Sequence, residues 1–144
     1  MTIEHDDTTI ERIALGLIDR SLPKPEWTHA AHFAAALWLL RHRPALTAPG
    51  AIREVISGYN AATGTPNTDE GGYHHTITLA SMRAASAWLH THPATISLSE
   101  ILAHLLASPF GKPDWLLAYW SRSLLFTPEA RHGWIEPDLA SLPF

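Results

Sequence analysis

The stretch that most constrains this chain is Trp27-Thr28-His29-Ala30-Ala31-His32 running into Phe33-Ala34-Ala35-Ala36-Leu37-Trp38-Leu39-Leu40, with no polar residue between His32 and Arg41. A helix apolar on every side belongs in the middle of a domain, because any exposed face would leave hydrocarbon in water. The segment therefore predicts a buried central helix over roughly 28–41, with Thr28 as its N-cap and Arg43-Pro44 closing it. His29 and His32 fall in its first turns. At i, i+3 they are neighbours on one face, in line with Phe33, Ala36 and Leu40. Imidazoles in such a place need hydrogen-bonding groups, water or a metal as partners, so the site is expected here.

Other helices assemble around this one. Asp7 or Thr8 can cap a first helix whose apolar stripe is Ile10, Ile13, Ala14, Leu17 and Ile18, stopped by Leu22-Pro23-Lys24-Pro25. After Pro49-Gly50 a third runs through Ile52, Val55, Ile56 and Tyr59 to a stop at Gly64. Tyr73 to His75 opens a long helix reaching about Leu89 and ended by His92-Pro93. Ser97 to Glu100 is a capping box for the helix of Leu98, Ile101, Leu102, Leu105 and Leu106. Asp114 is expected to cap a helix from Trp115 to about Leu125, and Thr127-Pro128-Glu129 starts a short last one ended by Gly133. The tail from Trp134 to Phe144 is expected to lie extended on the bundle, and the first six residues to fray. No stretch alternates with period two, and there is no internal repeat. The fold expected is all-α: one domain over residues 1–144, a bundle of about six helices.

Composition narrows the function. At 144 residues with 46% hydrophobic and 17% charged content, the chain can bury a core unaided. A net charge of −4 with no basic stripe argues against nucleic acid as a partner. With no cysteine, disulfides, thiolate ligands and cysteine nucleophiles are excluded. The apolar run 33–40 is too short to span a bilayer, and Glu4, Asp6 and Asp7 stand where a signal peptide would be basic, so a cytoplasmic location is expected. Ten histidines are the unusual entry. His5, His42, His90, His92 and His132 fall near helix ends or loops and are read as solvated. The six tryptophans fall mostly at helical or anchor spacing and are read as core, with room left for an apolar homodimer interface.

Residues 63–72, Thr-Gly-Thr-Pro-Asn-Thr-Asp-Glu-Gly-Gly, form the longest polar segment. Blandly it joins two helices; its many side-chain oxygens also suit a functional loop over the histidines. Three blocks, WTHAAH at 27–32, YNAATGTPNT at 59–68 and GYHHTIT at 72–78, together with YWSRSLLFTPEARHGWIEPDL at 119–139, resemble a family of small bacterial all-helical proteins of unassigned function. That resemblance marks Trp27, Thr28, His29, His32, Tyr59, Asn60, Asn67, Thr68, Tyr73, His74 and Thr76 as positions to watch. It also implies that a Glu often stands where this chain has His75.

Three readings of the histidines remain open. In the first, His29, His32 and His74 hold one divalent transition metal (zinc, iron, copper, nickel or manganese) with an open position, His75 being the alternative third ligand. In the second, His29, His32, His74 and Tyr73 do metal-free acid–base chemistry, and Trp27, Tyr59, Asn60, Asn67, Thr68 and Thr76 bind the substrate. In the third, the histidines pin the loop. The corresponding functions are an enzyme acting on a small molecule, a non-catalytic binding protein for a small polar ligand or metal, or a helical interaction module. Ser121 has no nucleophile-elbow sequence around it, which argues against a serine hydrolase.

Overall fold

A computed structural model describes residues 5–144; residues 1–4, and the fraying expected there, lie outside it. Among the described residues there are seven α-helices and no strand. They are α1 Asp7–Ile18, α2 His29–His42, α3 Pro49–Ala62, α4 His75–His90, α5 Leu98–Ala107, α6 Arg122–Leu125 and α7 Pro128–His132. No described helix is long and apolar enough to cross a membrane.

The all-round apolar pattern does what its physics requires. Ala31 and every residue from Phe33 to Leu39 are buried, and α2 packs against α1, α4 and α5 at once. Thr28 caps it, its hydroxyl accepting from the Ala31 N–H. Burial of Phe33 and Leu37 alone is worth about 1.5–3 kcal/mol each. Ile10, Ile13, Ala14 and Leu17 of α1, Ala80 and Ala84 of α4, and Ile101, Leu102 and Leu105 of α5 complete the core.

Helix ends depart from expectation in three places. Asp6, not Asp7 or Thr8, caps α1 by accepting from Thr9 N–H at 2.7 Å. Asp7 instead accepts from the Ser99 N–H at 2.9 Å and ties α1 to α5. In α4 the first helical residue is His75, because the His74 ring takes the capping role.

The third departure is larger. The helix expected from Trp115 to Leu125 is a 3-10 turn, Trp115–Ala118, followed by a break and the short α6. The interruption comes from the tail. Asp138 takes the Ser121 backbone N–H and hydroxyl at 2.7 and 2.6 Å, and the Leu139 N–H donates to the Tyr119 carbonyl at 2.9 Å. Those bonds use groups that a continuous helix would have paired internally. The Trp120 indole, fully buried, donates to the Ile135 carbonyl at 2.9 Å and fixes the same crossing. Ser121 is thus a cap, its oxygen also accepting from Leu124 N–H, and its hydroxyl is committed to Asp138.

Candidate functional site

A cleft of about 500 Å³ opens where α3, the 63–74 segment, the start of α4 and α7 meet the entry to α2. Trp27, His32, Asn60, Tyr73 and His74 line it, together with Lys24, Thr78, Phe126 and Arg131. Trp27, His32, Ile56, Ile77 and Thr78 also line an apolar recess of about 60 Å³ that reaches toward Leu39 and Met82. Ala35 and Ala36 border the recess, and their small side chains leave its space open.

The rim is built by one asparagine. Asn67 Oδ1 accepts from the Tyr73 N–H at 3.0 Å and from Asn60 Nδ2 at 3.3 Å, while its Nδ2 donates to the Ser57 carbonyl at 3.0 Å. One side chain thereby holds the segment to α3 and to the start of α4. Thr68 closes a tight turn, its hydroxyl oxygen accepting from Glu70 and Gly71 N–H groups. Gly72, at φ +79°, lies so close to Pro66 and Asn67 that a Cβ would stand 2.4 Å from the Pro66 oxygen. Only glycine fits there without movement.

His32 is the reactive feature. Its Nδ1 lies 2.6 Å from the Thr28 carbonyl oxygen. A carbonyl only accepts, so Nδ1 carries the proton and Nε2 bears the lone pair. Nε2 has no hydrogen-bond partner among the described residues. Trp27 stacks on the ring at 3.8 Å between centroids, 28° from parallel. By surface area the residue is exposed, while the indole stacked on one face and the cleft residues around it crowd the ring. That desolvation brings the pKa down to about 4, against the Thr28 bond that favours the charged form; His29 and Lys24 push it further down. The imidazole is neutral at physiological pH.

The other histidines do not share that freedom. His29 Nε2–H donates to the Phe110 carbonyl at 3.0 Å, and the ring stands edge-on to Phe33 at 5.2 Å. Although neighbours on α2, His29 therefore turns to the 109–111 turn while His32 turns to the cleft. His74 uses both nitrogens: Nε2–H donates to the Leu125 carbonyl at 2.7 Å and Nδ1 accepts from Ile77 N–H at 3.1 Å. Burial holds its pKa below the ordinary histidine value. His75 is absent from the cleft lining; its Nδ1 is hydrogen-bonded to the Tyr73 hydroxyl at 2.7 Å, and burial lowers its pKa as well. His75 therefore meets the cleft only through Tyr73, which lines it.

His29, His32 and His74 are thus not placed as one ligand set. Among the described residues no three histidine, aspartate or glutamate side chains are grouped to hold an ion. His74 has no lone pair to give, since its second nitrogen already accepts from backbone, and zinc or a similar ion requires deprotonated donors converging on one point.

Of the expected substrate-binding residues, Trp27 and Asn60 line the cleft. Tyr59 is fully buried and donates its hydroxyl to the Leu22 carbonyl at 2.9 Å. Thr76, also fully buried, donates to the Gly133 carbonyl at 2.8 Å and accepts from Ile135 N–H, joining α4 to the tail. Asn67 and Thr68 shape the rim.

The two cations of the cleft, Lys24 and Arg131, are residues that the sequence reading does not single out. Lys24 approaches Asn60 Oδ1 at 3.4 Å and lies 5.6 Å from the Tyr59 ring centre. Its position between Pro23 and Pro25, three residues before Trp27, was the available signal, since the prolines stiffen the approach. Arg131 donates through Nη1 to the carbonyls of Gly72 and Tyr73 at 3.2 and 3.4 Å. Nothing local marks it, because the fold alone brings α7 to this rim. Comparisons with protein-family models, with curated proteins and with solved structures gave no match.

Proposed function

We propose that the protein is an enzyme acting on a small molecule held in this cleft, with His32 as the proton acceptor. The carrying observation is the hydrogen bond from His32 Nδ1 to the Thr28 carbonyl, which leaves Nε2 unprotonated on a residue lining the cleft. A general base needs a fixed tautomer, a free lone pair and a substrate-sized space beside it. The Thr28 bond supplies the first two, Trp27 holds the ring's plane, and the cleft supplies the third. His29 supports the start of α2 through Phe110, and His74 and Asn67 hold the rim. Metal-free acid–base chemistry is favoured over a metal centre because the nitrogens of His74 are both engaged.

Proton abstraction next to a carbonyl tests this reading. The protein, incubated with 2-oxohexanoate in deuterium oxide and followed by proton NMR, is expected to exchange the C3 hydrogens roughly 100-fold or more faster than buffer, the lower end of what a positioned base contributes. His32→Gln should exchange no faster than buffer while melting at the parent temperature within a few degrees. Exchange in the parent at the buffer rate, or undiminished exchange in the variant, would overturn the assignment.

A further inference from the structure

The charge on the side chains that line the cleft is one-sided. Its lining includes Lys24 and Arg131 and not one aspartate or glutamate, in a chain whose net charge is −4. Neither cation makes an ion pair among the described residues, whose two salt bridges are Arg12–Glu26 and His132–Asp69. Arg131 Nη1 is spent on the rim carbonyls; Nη2 has no hydrogen-bond partner there, although the buried Nε of the same side chain shows how little water reaches its base. Next to these cations lies the apolar recess, walled by Ala35, Ala36, Ile52, Ile56 and Met82. At roughly 10–15 Å³ per water-sized group, its 60 Å³ takes a chain of about four to six non-hydrogen atoms.

Resting on the cleft being the site of the proposed function, we infer that its ligand is a small amphipathic anion. A carboxylate or phosphate head would lie among Lys24 and Arg131, and a short apolar tail would enter the recess past Trp27 and His32. Guanidinium and ammonium groups with no acidic partner recognise such a head by charge-assisted hydrogen bonds, and the absence of lining carboxylates disfavours cations. Apolar tails gain by leaving water for a preformed recess. The head would also lie near His32, where a negative charge favours the imidazolium and so makes Nε2 a stronger base only when ligand is bound.

A probe series of one tail length tests the inference: heptanoate, hexyl phosphate, 1-hexanol and hexylamine, with acetate as the tail-less control. Each is titrated into the isotope-labelled protein, and Kd is read from the Trp27 indole shift. Both hexyl anions are expected to bind about tenfold or more tighter than hexanol and hexylamine, a difference of about 1.4 kcal/mol. Acetate should bind at least about tenfold weaker than heptanoate, and the stronger of the two hexyl anions identifies the head as carboxylate or phosphate. Lys24→Gln, an exposed position, should erase several-fold of the anion preference without affecting hexanol, and Arg131→Gln should erase more if it folds. Equal binding of hexylamine or hexanol, an anion preference untouched by Lys24→Gln, or no shift at Trp27 with any probe would overturn the inference. The His32 tautomer, read by nitrogen NMR in the same samples, separates the two claims. Lost anion selectivity with Nε2 unprotonated defeats only the ligand class, whereas retained selectivity with Nε2 protonated defeats only the base.

Discussion

Replacing His74 with alanine removes two hydrogen bonds from one side chain. The ring's Nδ1 caps α4 by accepting from Ile77 N–H, and its Nε2–H satisfies the carbonyl of Leu125, a residue 1% exposed. Loss of an N-cap typically costs about 1 kcal/mol. Stranding a buried carbonyl costs about 1–3 kcal/mol, so the sum is about 3 kcal/mol. For a chain of 144 residues, where 1 kcal/mol moves Tm by roughly 3–5 °C, thermal unfolding followed by circular dichroism should shift down by about 10–15 °C. His74→Asn separates the two contributions. Asparagine caps helices well but is too short for the Leu125 carbonyl, so it should recover about 1 kcal/mol of the loss. Since His74 has no free lone pair, zinc should not raise the parent Tm through this residue. A loss under about 1 kcal/mol in His74→Ala, or zinc stabilisation abolished by that change, would refute the assignment of His74 to structure.

Acid should destabilise the fold in a defined window. His32, His74 and His75 all have folded pKa values below the 6.5 of an unperturbed histidine, chiefly because burial penalises the imidazolium. Between those values and 6.5 the unfolded chain binds more protons, so stability is complete above about pH 6.5 and declines as pH falls, for His32 until about pH 4. Urea midpoints should therefore drop steadily from pH 7 to pH 4.5; a flat profile would contradict the depressed values. Gly72→Ala should destabilise by about 1–3 kcal/mol, from the positive φ and the close Pro66 oxygen, and should broaden the Trp27 and His32 NMR signals as the rim shifts. An unchanged Tm and spectrum would show the rim to be looser than described.

How much of this was legible in the sequence depended on range. The buried α2, its Thr28 cap and the Ser97 cap of α5 follow from neighbours within a turn, and they stand where local pattern placed them. The 63–72 segment was legible as a loop, because its glycines and side-chain oxygens announce turns, and it borders the cleft with His32 and His74 but not His29. The break before α6 was not, since Asp138 reaches Ser121 from 17 residues further on. His74 resembled a ligand because histidine is an uncommon N-cap, and its second partner, Leu125, lies 51 residues away. The histidine pair on α2 was visible, but the divergence of the rings depended on Phe110 and Trp27, which only the fold puts beside them. Arg131 carried no local sign at all. Tyr59 and Thr76, visible as polar residues in familiar-looking blocks, are buried struts whose hydroxyls serve backbone carbonyls.

The direct measurement is a long-range proton–nitrogen NMR titration of the histidine rings from pH 8 to pH 3.5, with His32 assigned by His32→Gln. His32 is expected as the Nδ1–H tautomer, with Nε2 unprotonated at neutral pH and charging only near pH 4. A ring protonated at Nε2 in its neutral form would contradict its role as the cleft's proton acceptor, and titration near the ordinary value of 6.5 would contradict the desolvation of the ring.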